Sequence, residues 1–475
     1  MLNHGINTYK APTSFTAVTR GLSAVPFFVG CWPAHRGAGF TGKPQVVTNF
    51  EEAVKLGGYS DAWRDAGGNP KWTLCQAAYA FFLLFGRSPA VFYNVFDPAT
   101  HKSAVAAADM DVANHQIKLA DAIDDSGLVV KKDSTALVKG TDYETYYDED
   151  DTLVIELIST GSAYSETSLN VAYNAVSLTG ITASAIETAI EKVENCKSMI
   201  GIVPTNICCP GWSQTPSVAA VMAAKAPSIN GLFKGKAIVD LDTSSSGADT
   251  YDDVKTYKES NGYTDKNMVV CWPLVEVGDK LFDASVILCG KLAQIDGDNG
   301  DIPFESPSNK KVAISGCKTK AGADVYLTVQ QADVVSVTAG VVTFLNFDGW
   351  RVWGNYTGCY PGSADAAEHY ICCNRMLDYI CNTFVNSYWD YVDRPLKRVV
   401  IDAIVDSFNS WLTALTHEGA LYGGEIRYVE DNNPTADLIS GKFRLDAKVA
   451  SPVPAQQINM YAEFDVDLLN AALGA

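Results

Sequence analysis

Six histidines stand at positions 4, 35, 101, 115, 369 and 417, and no two share the HExxH spacing that sets a pair of imidazoles on one helical face around zinc. The chain also lacks the GxSxG turn that exposes a serine nucleophile and the GxGxxG and GxxxxGKS/T loops that cradle phosphates. Gly37 to Lys43 comes nearest to a phosphate loop, but Pro44 follows where a magnesium-binding hydroxyl is required. Asp296-Gly-Asp298-Asn-Gly300-Asp301 begins like a calcium loop, yet Gly300 fills its fifth position and Pro307 its twelfth, where a bidentate carboxylate is needed. Asp148-Glu-Asp-Asp151 reads either as a magnesium ligand set or as a solvated turn. Asp240 and Asp242, in Ile238 to Asp242, resemble a metal-holding strand end; without a phosphate loop they read as a buried strand with a polar exit. Twelve cysteines include the adjacent pairs Cys208-Cys209 and Cys372-Cys373 and no CxxC, a pattern of reduced core thiols rather than of a tetrahedral metal site. No cofactor and no metal is expected, and no acid and base pair emerges. The chain reads as a non-enzyme, with a hydrolase working through its acidic β segment as the alternative.

The elements that would position any site come from composition and periodicity. With 475 residues, 47% of them hydrophobic and 19% charged, the chain has the balance of a multidomain globular protein. Its net charge of −19 is concentrated in residues 101 to 200, which hold 7 Lys/Arg against 17 Asp/Glu. An acidic chain without a basic stripe excludes nucleic acid as the expected partner. The most apolar run, Ala77 to Phe85, is far shorter than the ~20 residues of a membrane-spanning helix, so no membrane insertion is expected. Met1 to Lys10 has neither a charged start nor an apolar core, which predicts a cytoplasmic product without a signal peptide.

Residues 1–22, rich in Ser and Thr, read as an extended N-terminal arm. Ala24 to Gly30 is a strand buried on both faces, Thr48 to Glu52 a capped helix start, Trp72 to Phe85 a helix and Ala90 to Phe96 a strand, the opening of an α/β core. From about Val129 to Leu178 alternating runs such as Thr152 to Ile158 and Ser168 to Tyr173 predict a small antiparallel β domain inserted into that core. The α/β texture then resumes: a helix over Ser184 to Cys196, strands at Ser198 to Val203, Lys236 to Asp242 and Asn267 to Trp272, and helices over Val218 to Lys225 and Tyr251 to Ser260. That spacing predicts a mostly parallel sheet. Lys311 to Phe347 reads as strand-rich. Two long helices follow, Ala366 to Trp389 and one starting at an Asp393-Arg-Pro395 cap and stopping near Gly419.

Near the end, Ile458, Met460, Ala462, Phe464 and Val466 alternate with polar residues at the period of a strand. The lead-in Ser451-Pro-Val-Pro454 predicts an extended arm, so the strand either pairs elsewhere or folds back on its own domain.

Several blocks together resemble the sheath proteins of contractile phage tails and of phage-tail-like bacteriocins (tailocins). They are Phe347-Asp-Gly-Trp-Arg-Val-Trp-Gly-Asn355, Asn374-Arg-Met-Leu-Asp378, Asp393-Arg-Pro395, Glu418 to Gly424, Asn433-Pro434, Ser440-Gly-Lys442 and Pro452 to Ile458, with Trp272 to Val275 upstream. The resemblance implies α/β core domains with an inserted antiparallel β domain and extended arms. The expected division is 1–22 N-terminal arm, 23–97 first part of the core, 98–183 inserted acidic β domain, 184–346 α/β sheath domain, 347–454 C-terminal core and 455–475 C-terminal arm. It also implies a virion structural protein stacked as hexameric rings in a helical assembly around a tail tube, contracting to drive the tube through a bacterial envelope for genome ejection or killing. The implied partners are other copies of the chain, the tail tube protein, and baseplate and tail terminator proteins; the implied location is the host bacterial cytoplasm during assembly, then the particle tail. Arms lent as strands to neighbouring subunits would make Ile458 to Val466 an inter-subunit strand. Arg394, Lys397 and Arg398 are tube-facing candidates, the alternative being a solvated helix start.

Overall fold

The computed structural model describes residues 18–19, 23–123, 127–148 and 152–474. The expected N-terminal arm therefore lies outside the described residues apart from Val18 and Thr19, as do Glu149, Asp150 and Asp151 of the carboxylate run.

The apolar run forms β1 (Pro26–Gly30), buried along its whole length. β2 (Pro44–Val47) is an edge strand whose Pro44 brings no N–H to the ladder. Helix α1 (Phe50–Gly57) starts where Asn49 Oδ1 accepts the Glu52 amide at 2.8 Å while the Glu52 carboxylate accepts the Thr48 amide at 2.7 Å, a reciprocal cap. α2 (Thr73–Ala78) runs on into a π-helical turn, Tyr79–Leu84, and β3 (Ala90–Asn94) follows, parallel to β1 and antiparallel to β2.

The chain then makes seven antiparallel strands: β4 (Lys102–Asp111), β5 (Gln116–Leu119), β6 (Val129–Lys132), β7 (Thr135–Ala136), β8 (Tyr143–Tyr147), β9 (Leu153–Leu157) and β10 (Ser168–Val176). They form two sheets, ordered β4-β10-β6-β7 and β5-β9-β8, over a separate apolar cluster that includes Ile117, Leu153, Ile155, Leu169 and Val171. Strand structure begins earlier than the periodicity suggested: alanine-rich β4 has no alternation to read, and its pairing with β10 makes it a strand. Entry and exit adjoin, for Lys102 sits opposite Val176.

α3 (Ala183–Ile190), capped by Thr182, leads through a 3-10 turn into α4 (Cys196–Ile200). The strand expected at Ser198 to Val203 is thereby corrected. Gly201, at φ 73°, ends the helix in the left-handed conformation, and the strand, β11 (Asn206–Cys208), forms only after Pro204. α5 (Pro216–Lys225), β12 (Lys236–Asp240), α6 (Asp253–Ser260) and β13 (Met268–Cys271) complete a six-stranded sheet ordered β13-β12-β11-β1-β3-β2, parallel except for β2. Helices cover both faces, which is why its strands read as unbroken apolar runs.

β14 (Leu274–Val277), β15 (Lys280–Phe282) and β16 (Gly316–Lys318) make a three-stranded sheet interrupted by α7 (Ala284–Asp298), a helix buried on almost every side. The expected strand-rich stretch is helical from α8 (Val329–Asp333) through a π turn to Thr338. Thr328 accepts the Gln331 amide and the Gln331 side chain accepts the Thr328 amide, a capping box that starts a helix despite the β-branched sequence. β17 (Thr343–Asn346) and β18 (Trp350–Trp353) form a hairpin.

The C-terminal part holds α9 (Ala366–His369), α10 (Ile371–Tyr388), α11 (Arg398–His417), β19 (Gly423–Tyr428), α12 (Thr435–Ile439), β20 (Leu445–Ala450) and α13 (Val466–Leu473). The first long helix breaks at extended Tyr370. The second starts at Arg398 rather than at Asp393, because Pro395 disfavours helical backbone before it and Asp393 is left-handed at φ 64°. Their facing stripes, including Met376, Ile380, Phe408, Leu412 and Leu415, make a third apolar cluster, on which the β19–β20 pair rests through Ile426.

Candidate functional site

Asp240 and Asp296, two of the carboxylates singled out in the sequence, are buried. Asp296, first in the calcium-like run, lies on α7 and forms a buried ion pair with Arg375, its Oδ1 3.1 Å from Nη1; Ser23 Oγ donates to Oδ2 at 2.7 Å. Asp242 accepts from the Ser244 hydroxyl and amide. Asp240, at the end of β12, accepts the Ser285 amide at 2.7 Å, the Ser285 hydroxyl at 2.5 Å and the Ser213 hydroxyl at 3.1 Å. Among the described residues no group of three His, Cys, Asp or Glu side chains is placed to hold a metal. All twelve cysteines are free.

Burial pushes Asp240 up from 3.8 to about 7, helped by the nearby Asp283 charge. A raised carboxyl favours the folded chain only while protonated: its contribution is fully present below pH 3.8 and is lost as pH rises towards 7. Denaturant midpoints of Asp240→Asn measured from pH 4 to 7 are therefore expected to fall less with rising pH than those of the unaltered chain. Equal slopes would contradict this.

What remains open is the C-terminal arm. Its root is held to the body: Cys373 Sγ donates to the Pro452 carbonyl at 3.5 Å, and the Tyr356 hydroxyl donates to Gln456 Oε1 at 2.6 Å. Tyr356 is fixed in turn by stacking on Tyr360, ring centroids 3.6 Å apart. Beyond Gln456, among the described residues, every hydrogen bond of 457–474 stays within that segment. Ile458 and Met460 are 88% and 87% exposed, and Ala462 and Phe464 are exposed as well.

The segment is not folded back on its own domain, and the strand expected there does not form in the single chain, since a strand needs a ladder partner. At Val466 the expectation is corrected: Asp465 accepts the amides of Asp467 and Leu468, so Val466 opens α13. Sequence reading missed this helix, although an Asp before an apolar Leu and Ala run was the available signal.

The β19–β20 pair presents two outer edges, neither with a strand partner among the described residues. Arg394, Lys397 and Arg398 are exposed together just before and at the start of α11. Arg394 stacks on Tyr391 at 4.5 Å; Arg398 pairs with Asp402 at 2.9 Å and lies over Tyr428. Exposed Trp389, Val392, Leu396 and Val399 share that tip.

No family model matches the chain. It is 24% identical to the tail sheath protein of Burkholderia phage BcepMu, over 98% of this chain and 97% of that protein. It is 25% identical to the tail sheath protein of Escherichia phage P2 over 56% of this chain and 64% of that one. Among solved structures, it resembles the contracted sheath complex of an extracellular contractile injection system, PVC, with TM-score 0.60 and 13% identity over 98% and 99% of the two chains. The contracted helical sheath of the anti-feeding prophage gives TM-score 0.57 and 16% identity over 98% and 100%. The chain is a relative of the contractile tail sheath proteins. Its multidomain α/β fold with several sheets is a sheath fold. The relatives are structural sheath proteins, and the hydrolase alternative finds no support among them.

Proposed function

We propose that this sheath-type subunit polymerises as stacked rings of six around a tail tube and that the lattice shortens and widens to drive the tube through a bacterial envelope. The observation that carries this reading is the C-terminal arm, an apolar segment that finds nothing to bury against among the described residues of its own chain. Ile458, Met460, Ala462 and Phe464 act as the inter-subunit strand once a neighbour supplies a ladder, and Val466 opens the helix that follows it. The outer edge of β20 suits that role better than that of β19, where the Asn409 side chain already takes the Ile426 amide and carbonyl. Arg394, Lys397 and Arg398 face the tube protein, and the baseplate and terminator close the two ends.

Residues 98–183 form the inserted β domain, 23–97 with 184–346 the α/β core, 347–454 the C-terminal core, and 1–22 and 455–475 the arms. Assembly takes place in the host cytoplasm before the sheath joins the particle tail. Electron microscopy of the purified chain is expected to show long hollow cylinders; uniform small particles at every concentration and salt would overturn the reading.

A further inference from the structure

Helix α13 places Val466, Leu469 and Leu473 on one face, with Leu468 beside them, all between 42% and 73% exposed. Asp465 and Asp467 put two carboxylates at its first turn. Eight residues are too few for a helix to be stable by itself in water, where ~12–15 are marginal, so this one requires a surface to bury its leucines.

A cavity of about 370 Å³ on the body has the complementary chemistry. Leu84 and Phe85 at the end of the π turn, Ile287 on α7 and Ile314 give it apolar walls, and Lys291 and Lys311 stand at it. Lys291 is buried and donates to Gln294 Oε1 at 2.8 Å; Lys311 is exposed. Among the described residues neither lysine has a carboxylate at ion-pair distance. A buried ammonium left to a neutral partner carries an unrecovered desolvation cost. On a chain of net charge −19, a cavity with two lysines that form no ion pair among the described residues fits an occupant that is apolar and acidic.

We propose that α13 of one copy docks in this cavity of a second copy, with its leucines in the apolar part and Asp465 and Asp467 towards Lys291 and Lys311. The inference rests on the reading that the arm crosses to a neighbour. Residues 457–465 extend at ~3.3 Å each to ~30 Å, enough to reach an adjoining subunit. The arm would then hold its neighbour twice, by a strand and by a helix.

The test mixes isotope-labelled and unlabelled full-length chains as monomers, lets them assemble, and adds a carbodiimide that joins touching amines and carboxylates. Linked peptides joining Lys291 or Lys311 to Asp465 or Asp467 are expected, about half of them of mixed isotope. Links within one isotope only would make the helix's own body the occupant and overturn the proposal, as would links confined to other lysines or no links. Lys311→Glu should lower the mixed links several-fold, and Asp467→Lys in the same chain should restore them. Micrographs of the same samples separate the two readings: cylinders without these links remove the docking and leave the sheath, whereas links without cylinders do the reverse.

Discussion

A chain cut after Pro454, losing residues 455–475, folds and no longer polymerises. Among the described residues none of those lost belongs to the three apolar clusters, and the only hydrogen bond to the body that goes with them is Tyr356 to Gln456, a loss of about 1 kcal/mol. The thermal transition should hardly move. Assembly is different. Burying five arm side chains at ~1.5 to 3 kcal/mol each, with ladder hydrogen bonds at about 1 each, nearly cancels against ~1 to 2 kcal/mol per residue for ordering nine residues. One arm holds weakly; a lattice in which each subunit is tied to several neighbours holds by effective concentration, and removing the arm from every copy abolishes that at once. Sedimentation should find monomer where the full chain gives cylinders. Normal cylinders from the shortened chain would refute the arm's role.

The second large effect belongs to the Asp296–Arg375 pair, which joins α7 to α10 and so the parallel-sheet core to the C-terminal helices. Both side chains are almost wholly buried, and Arg375 also donates to the Ser23 carbonyl at 3.3 Å, fixing the first residues of the body. Asp296→Ala leaves a guanidinium in the interior without its anion, a loss expected at ~3–5 kcal/mol in denaturant unfolding. Replacing both partners, Asp296→Leu with Arg375→Met, should recover most of it, because burying two charges offsets much of their attraction. If the double variant is no better than the single one, the cost lies in packing and not in the unpaired charge.

How far the sequence could be read depended on the kind of signal. Unbroken apolar runs bounded by turns foretold β1, β3, β12 and β13, and the Asn49 cap and the stripes of α10 and α11 foretold those helices. Ser198 to Val203 failed because a short apolar run carries no period; only Gly201 marks it as a helix end. β4, with four alanines in ten residues, and Val329 to Thr338, with four valines in ten, were decided by pairing and by a capping box against their local texture. The alternation from Ile458 onwards was readable, but the helix after it was hidden because the alternation runs on into Val466. Asp296 and Arg375, 79 residues apart, meet only through the packing of α7 on α10. The cavity beside Lys291 is likewise assembled from three distant stretches, and no spacing announces it.

The junction at Lys102 and Val176 has a last consequence. Because the polypeptide departs from the body and comes home one ladder rung apart, with the Ser177 amide donating to the His101 carbonyl at 3.1 Å, that doorway fixes the separation of two strand ends, while the Lys71–Asp121 pair at 2.9 Å and the Tyr147 ring against His35 tie what hangs beyond back to the body. The seven strands outside it own their apolar interior. A foreign module whose termini meet at that spacing satisfies the geometry of this junction and gives the subunit a new surface, at the loss of the Lys71–Asp121 and His35–Tyr147 contacts.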